Sequence, residues 1–76
     1  MDKKTWKLKF SRALRTKMSE KEITVYELGG RSGIQGSSLY AYLEGKSMPN
    51  AYNINRIASV LDCSTDELIN FNLYED

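Results

Sequence analysis

The sequence predicts an all-α fold, a compact bundle of five helices. Three observations carry this: apolar residues recur at spacings of three and four along most of the chain; no segment alternates with period two; and all five glycines fall between Gly29 and Gly45, where they punctuate two short helical segments. At 76 residues the chain is read as one domain, residues 1–76, large enough for a modest single core.

The first helix is expected from residue 5 to about residue 18, because Trp6, Phe10, Ala13, Leu14 and Met18 form one apolar stripe. Residues 1–4 read as a basic arm, and the polar face of the helix carries most of the remaining cations. Ser19 and Glu22 have capping-box spacing, and so do Thr24 and Glu27. The second helix is placed at Val25 to Ser32, with Ile23 ahead of its cap, Leu28 facing inward and Gly33 as its left-handed end. Ile34 turns back to the core. A third helix follows from Gly36 to Leu43, with Leu39 and either Tyr42 or Leu43 buried and Gly45 at its exit. Asn50 caps a fourth helix whose stripe is Ile54, Ile57, Ala58 and Leu61. Ser64 and Glu67 open a fifth containing Leu68, Ile69 and Phe71, and residues 72–76 read as a flexible polar tail.

Composition removes several classes of function. With no histidine and the single Cys63, which reads as a small buried hydrophobe, the chain has no ligand set for structural zinc and no activated nucleophile. The acids Glu22, Glu27 and Glu67 already have capping roles, so an enzyme is not expected, and neither is a cofactor or a small-molecule ligand. No apolar run is long enough for a membrane span, and the first residues lack the apolar middle of a signal peptide, which points to the cytoplasm.

The glycine stretch is not a phosphate loop. No Lys-Ser/Thr follows its last glycine, and Gly30, Gly33 and Gly36 fall three apart rather than in the dinucleotide pattern. A capped short helix, a glycine turn, a second short helix and a glycine exit instead describe two helices crossing steeply, with Gly29 at the crossing.

The net charge of +1 hides a division. Residues 1–21 carry eight Lys/Arg against Asp2 and Glu20, a balance of +6, whereas residues 22–76 carry three against eight acids, a balance of −5. Lys3, Lys4, Lys7, Lys9, Arg12 and Arg15 are therefore the candidate contacts to phosphates or to an acidic partner.

From Ile23 to Leu68 the chain resembles the lambda-repressor/Cro-like helix-turn-helix family, also called the XRE family. The runs "ITVYELGGRSGIQGSSLYAYLEGKSMPN" and "INRIASVLDCSTDEL" place Leu28, Gly33, Ile34, Leu39, Tyr42, Gly45, Pro49, Ile57, Ala58, Leu61, Ser64, Asp66 and Leu68 in the family's register. The resemblance implies a bacterial or phage transcription regulator, in the cytoplasm of a bacterial host, whose third helix enters the major groove of operator DNA. Leu28, Gly29, Gly33, Ile34, Leu39, Tyr42 and Gly45 would then be the structural frame of the motif. Gln35, Gly36, Ser37, Ser38, Tyr40 and Ala41 would occupy its base-contacting positions.

Those positions depart from a base reader. Bidentate discrimination uses Arg or Lys on guanine and Asn or Gln on adenine, and only Gln35 offers such a group, with a further demand on it as a makeshift cap for the third helix. Val25 stands where the family often has a phosphate-binding glutamine. Thr24 to Gly45 holds Arg31 against Glu27 and Glu44, so this face is slightly acidic. Tyr40, exposed among small residues with Tyr26 and Tyr52 as candidate neighbours, suits a protein contact. The sequence therefore supports two readings: an antirepressor of a phage or prophage switch that binds a helix-turn-helix repressor, or a Cro-like operator-binding repressor.

Overall fold

The computed structural model describes residues 1–72 and contains α1 (Lys3–Glu20), α2 (Val25–Ser32), α3 (Gly36–Leu43), α4 (Ala51–Val60) and α5 (Asp66–Ile69), with no strand among the described residues. The all-α five-helix expectation holds. α1 is the long element. It packs against α3 and α5, while α2 packs against α3 and α4.

α1 begins two residues earlier than expected, because the Asp2 carboxylate accepts the Thr5 N–H at 2.8 Å and caps the first turn. Lys3 and Lys4 are thus helical residues rather than part of a free arm. The expected box at Ser19 and Glu22 does not form. α1 runs through Ser19, and Glu22 adopts a left-handed φ of 52°, with its N–H donating to the Ser19 carbonyl at 3.1 Å and the Ile23 N–H to the Met18 carbonyl at 3.0 Å. This is a Schellman ending with a glutamate where glycine is cheapest. The same bonding closes α3 at Gly45, φ 71°, and α4 at Asp62, φ 51°. Since a left-handed β-carbon costs about 1–2 kcal/mol and glycine gives part of that back in unfolded-state entropy, Glu22→Gly is expected to stabilise the domain by about 0.5–1 kcal/mol. Urea melts of the two proteins check this, and an unchanged or lowered midpoint would count against the Schellman account.

The other boundaries follow their local chemistry. Thr24 and Glu27 form a complete capping box, and the Asn50 side chain accepts the Asn53 N–H at 2.8 Å. At α5 only half a box forms: Glu67 accepts the Ser64 N–H at 2.8 Å, and the helix closes after Ile69, which leaves Phe71 outside it. Residues 73–76, most of the expected tail, lie outside the described residues.

The core joins Phe10, Leu14 and Met18 of α1 to Leu28, Leu39, Tyr42, Ile57, Leu61 and Leu68 from the other helices. Tyr42 rather than Leu43 is the buried aromatic of α3, and its hydroxyl accepts a hydrogen bond from the Asn53 amide at 3.0 Å. Trp6 stacks on Phe10 at 5.6 Å and meets the edge of Phe71 at 5.7 Å, which ties the chain beyond α5 to the start of α1. Cys63 is half-buried against the core, and that burial pushes its thiol pKa up.

Candidate nucleic-acid and partner interface

The α2–turn–α3 unit is built from small residues at defined places. A β-carbon on Gly29 would lie 3.2 Å from the Ile34 carbonyl oxygen and 3.6 Å from Leu39, so glycine permits the close crossing that the sequence suggested. Gly33 closes α2 at φ 75° and donates its N–H to the Gly29 carbonyl at 2.9 Å. Inside the turn, buried Ser32 accepts the Ile34 N–H at 3.1 Å. Gly33 has a second reason that the sequence did not disclose: a β-carbon there would sit 2.3 Å from Nη2 of Arg56, whose guanidinium also lies 5.0 Å over the Tyr52 ring. Arg56 places a positive charge at the carbonyl end of α2, where the helix dipole favours it.

This frame holds one side of α3 outward. Gln35, Gly36, Ser37 and Tyr40 are exposed, Ser38 and Ala41 are half-buried, and Leu39 and Tyr42 face the core. Gln35 stands at the N-cap position but makes no capping bond, contrary to the makeshift-cap reading, so its amide points free of α3's first turn. Tyr40 faces a groove of about 440 Å³ between α2 and α3, lined also by Val25, Tyr26, Gly29, Gly30, Ile34 and Gly36. Tyr26, 90% exposed, shares this groove with Tyr40, whereas Tyr52 belongs to Arg56. A β-carbon on Gly30 or Gly36 would meet nothing within 4 Å, so neither is glycine for packing; their missing side chains leave the groove open. Nothing in the sequence marks Gly30, because its place in the groove depends on the distance between helices.

The cations of α1 do not form a single face. On one flank Lys7 donates to the Lys46 carbonyl at 3.5 Å, Ser11 donates to the Leu43 carbonyl, and Arg15 donates to that same carbonyl at 2.7 Å. Ser11 and Arg15 thus satisfy the last carbonyl of α3, where the Arg15 charge lies at the helix's negative pole, and Lys7 holds the loop just beyond it. On the other flank Lys17 bridges Glu20 and Glu67, each at 3.0 Å; the Ser64 N–H first, and Lys17 after it, hold the Glu67 carboxyl below the usual carboxylate range. Lys9 lies 6.0 Å over the Phe71 ring. Lys3, Lys4 and Arg12 are exposed, and among the described residues neither Lys9 nor Arg12 forms an ion pair. Of the six candidate phosphate or acidic-partner contacts, Arg15 thus bonds the last carbonyl of α3 and Lys7 a carbonyl of the loop that follows.

Among the described residues no three His, Cys, Asp or Glu side chains gather as metal ligands, and no helix is long and apolar enough to cross a membrane. A family model for the Cro/C1-type HTH DNA-binding domain matches residues 13–73, which span α1 from Ala13 through α5. No curated protein matches the chain.

Proposed function

Because the chain belongs to the Cro/C1-type helix-turn-helix DNA-binding family, we propose that it is a transcription regulator of a phage or prophage switch that acts mainly by gripping a partner repressor, with weak DNA binding of its own. The observation that carries this reading is the outward face of α3. Where a base reader needs forked donors and acceptors, this face offers Gly36, Ser37 and Tyr40 beside an open groove walled by Tyr26. Exposed tyrosines around a recess are the usual anchors of protein contacts. The charge agrees with it, since Glu27 and Glu44 outnumber Arg31 between Thr24 and Gly45, while Arg15 is turned to the end of α3 and Lys7 to the loop beyond it.

A gel-shift series on the regulatory region that carries the repressor's operators tests the proposal, using this protein alone, the neighbouring repressor alone, and both together. Loss or supershift of the repressor band only in the mixture is expected. A tight, sequence-selective shift by this protein alone overturns it. That outcome would support the Cro-like reading, which one observation favours: the uncapped Gln35 amide is available for a bidentate bond to adenine. In that case Gln35→Ala abolishes the selective band.

A further inference from the structure

Residues 22–76 hold only three cations, Arg31, Lys46 and Arg56, and the fold brings the two arginines to one pocket. This pocket, of about 260 Å³, lies between the end of α2 and the second half of α4 and is lined by Arg31, Ser32, Asn55, Arg56, Ser59 and Val60. Among the described residues no Asp or Glu lines it, although acids outnumber cations in this part of the chain.

All of the lining side chains except Val60 can donate hydrogen bonds, and most of these donors are unspent. Among the described residues neither guanidinium forms an ion pair or a hydrogen bond. Arg56 is half-buried and rests over the Tyr52 ring at 5.0 Å, a contact that holds the guanidinium in place and leaves its N–H donors without an oxygen. Glu27 is the acid one turn before Arg31, and its carboxylate is bonded to Thr24. Buried Ser32 already accepts the Ile34 N–H at 3.1 Å, so its hydroxyl keeps its own hydrogen to give. Both helices end at this pocket, and their carbonyl poles together carry about one negative charge. The two guanidiniums exceed that, so the pocket is cationic before any ligand enters.

This donor set matches a dianion with three oxygens better than a carboxylate, because two planar forks and two hydroxyls exceed what two oxygens can accept. A nucleic-acid backbone phosphate is a diester with one charge and two free oxygens, and it matches less well. We propose that the pocket binds the dianionic group of a small phosphate monoester, held by Arg31 and Arg56 with Ser32, Asn55 and Ser59 as neutral donors and Val60 against the organic remainder. The pocket shares no residue with the groove between α2 and α3. Its ligand ties α2 to α4 beside Gly33 and stabilises the frame that presents α3 by mass action.

The test follows the Arg31 and Arg56 side-chain Nε–Hε NMR signals of the full chain at constant ionic strength and about pH 7.5, above the second pKa of a monoester at about 6. Monomethyl phosphate, dimethyl phosphate, acetate and a random-sequence duplex are the probes. Monomethyl phosphate is expected to shift both signals saturably, with a Kd on the order of 1 mM, and dimethyl phosphate and acetate to bind about tenfold more weakly. Arg31→Gln and Arg56→Gln should each weaken monomethyl phosphate about tenfold, and Lys46→Gln, the same charge change elsewhere, less than about twofold. Arg31 is exposed, so Arg31→Gln keeps this arm readable whatever Arg56→Gln does to the fold. Absence of a saturable shift in the parent protein overturns the proposal, as does an equal response to acetate or dimethyl phosphate, or an equal loss in Lys46→Gln. A duplex that shifts both signals at a lower phosphate concentration than monomethyl phosphate also overturns it, and makes the pocket a contact to the nucleic-acid backbone.

Discussion

Phe10→Ala is expected to remove about 3–5 kcal/mol of stability, a large share of what a domain of this size has. Phe10 is fully buried and sits where three elements meet, stacked on Trp6, edge-on to Tyr42 at 6.0 Å, and in the same cluster as Leu68. At about 0.05–0.15 kcal/mol per residue, a chain of 76 residues has on the order of 4–11 kcal/mol in total, so the variant should unfold at a much lower urea concentration than the parent protein. Urea denaturation followed by Trp6 fluorescence reads this, since the indole is partly buried against the core and unfolding moves it into water. Phe10→Leu keeps most of the volume and should cost about 1–2 kcal/mol, leaving a cooperative transition. A Phe10→Ala protein with a near-normal midpoint would mean that the α1–α3 seam contributes little, contrary to the packing described above.

The seam explains which parts of the molecule could be read from sequence. α2, its turn, α3 and the start of α4 have the predicted boundaries because their determinants are local: the Thr24–Glu27 box, the left-handed Gly33 and Gly45, and the Asn50 cap all act within a few residues. Where two local solutions compete, spacing does not decide. Ser19 and Glu22 fit a capping box, but continuing α1 through Ser19 to a Schellman ending lets the Ile23 N–H find a carbonyl, and Glu22 takes the unfavourable φ in exchange. In the sequence Asp2 stands as one acid in a basic segment, although its distance of three residues from Thr5 is that of a cap.

The candidate site was legible in a different proportion. The frame residues Leu28, Gly29, Ile34, Leu39 and Tyr42 lie where expected because burial on a short helix follows from its period. The roles of Lys7, Arg15 and Arg56 did not, because each meets a group far away in sequence: Lys7 and Arg15 meet carbonyls 39 and 28 residues on, and Arg56 lies against Gly33. Charge counting makes the first two candidate contacts to phosphate or an acidic partner, and the fold adds hydrogen bonds from Arg15 to the Leu43 carbonyl and from Lys7 to the Lys46 carbonyl. Gly30 and Gly36 share this property, since a glycine that leaves space has no local signature and shows its effect only in the groove it keeps open.

That groove separates stability from function, and Tyr40→Ala is the variant in which the separation should be largest. Tyr40 is 57% exposed and makes no ring contact or hydrogen bond through its side chain among the described residues, and alanine is the better helix former, so the melting midpoint should hold or rise slightly. Capture of the partner repressor should nevertheless weaken about thirtyfold or more, the effect of losing an aromatic anchor worth about 2 kcal/mol. Titration calorimetry, or the mixed gel shift at graded concentration, measures it. Gly30→Leu makes the argument sharper, because it acts in the opposite sense on stability. Its β-carbon enters open space inside α2, so replacing a helical glycine should stabilise the domain by about 0.5–1 kcal/mol, yet the new side chain stands in the groove between Tyr26 and Tyr40. A protein that is more stable and binds its partner less well would assign the recognition event to this groove. Undiminished partner binding by both variants would remove the groove from the account and return α3 to DNA.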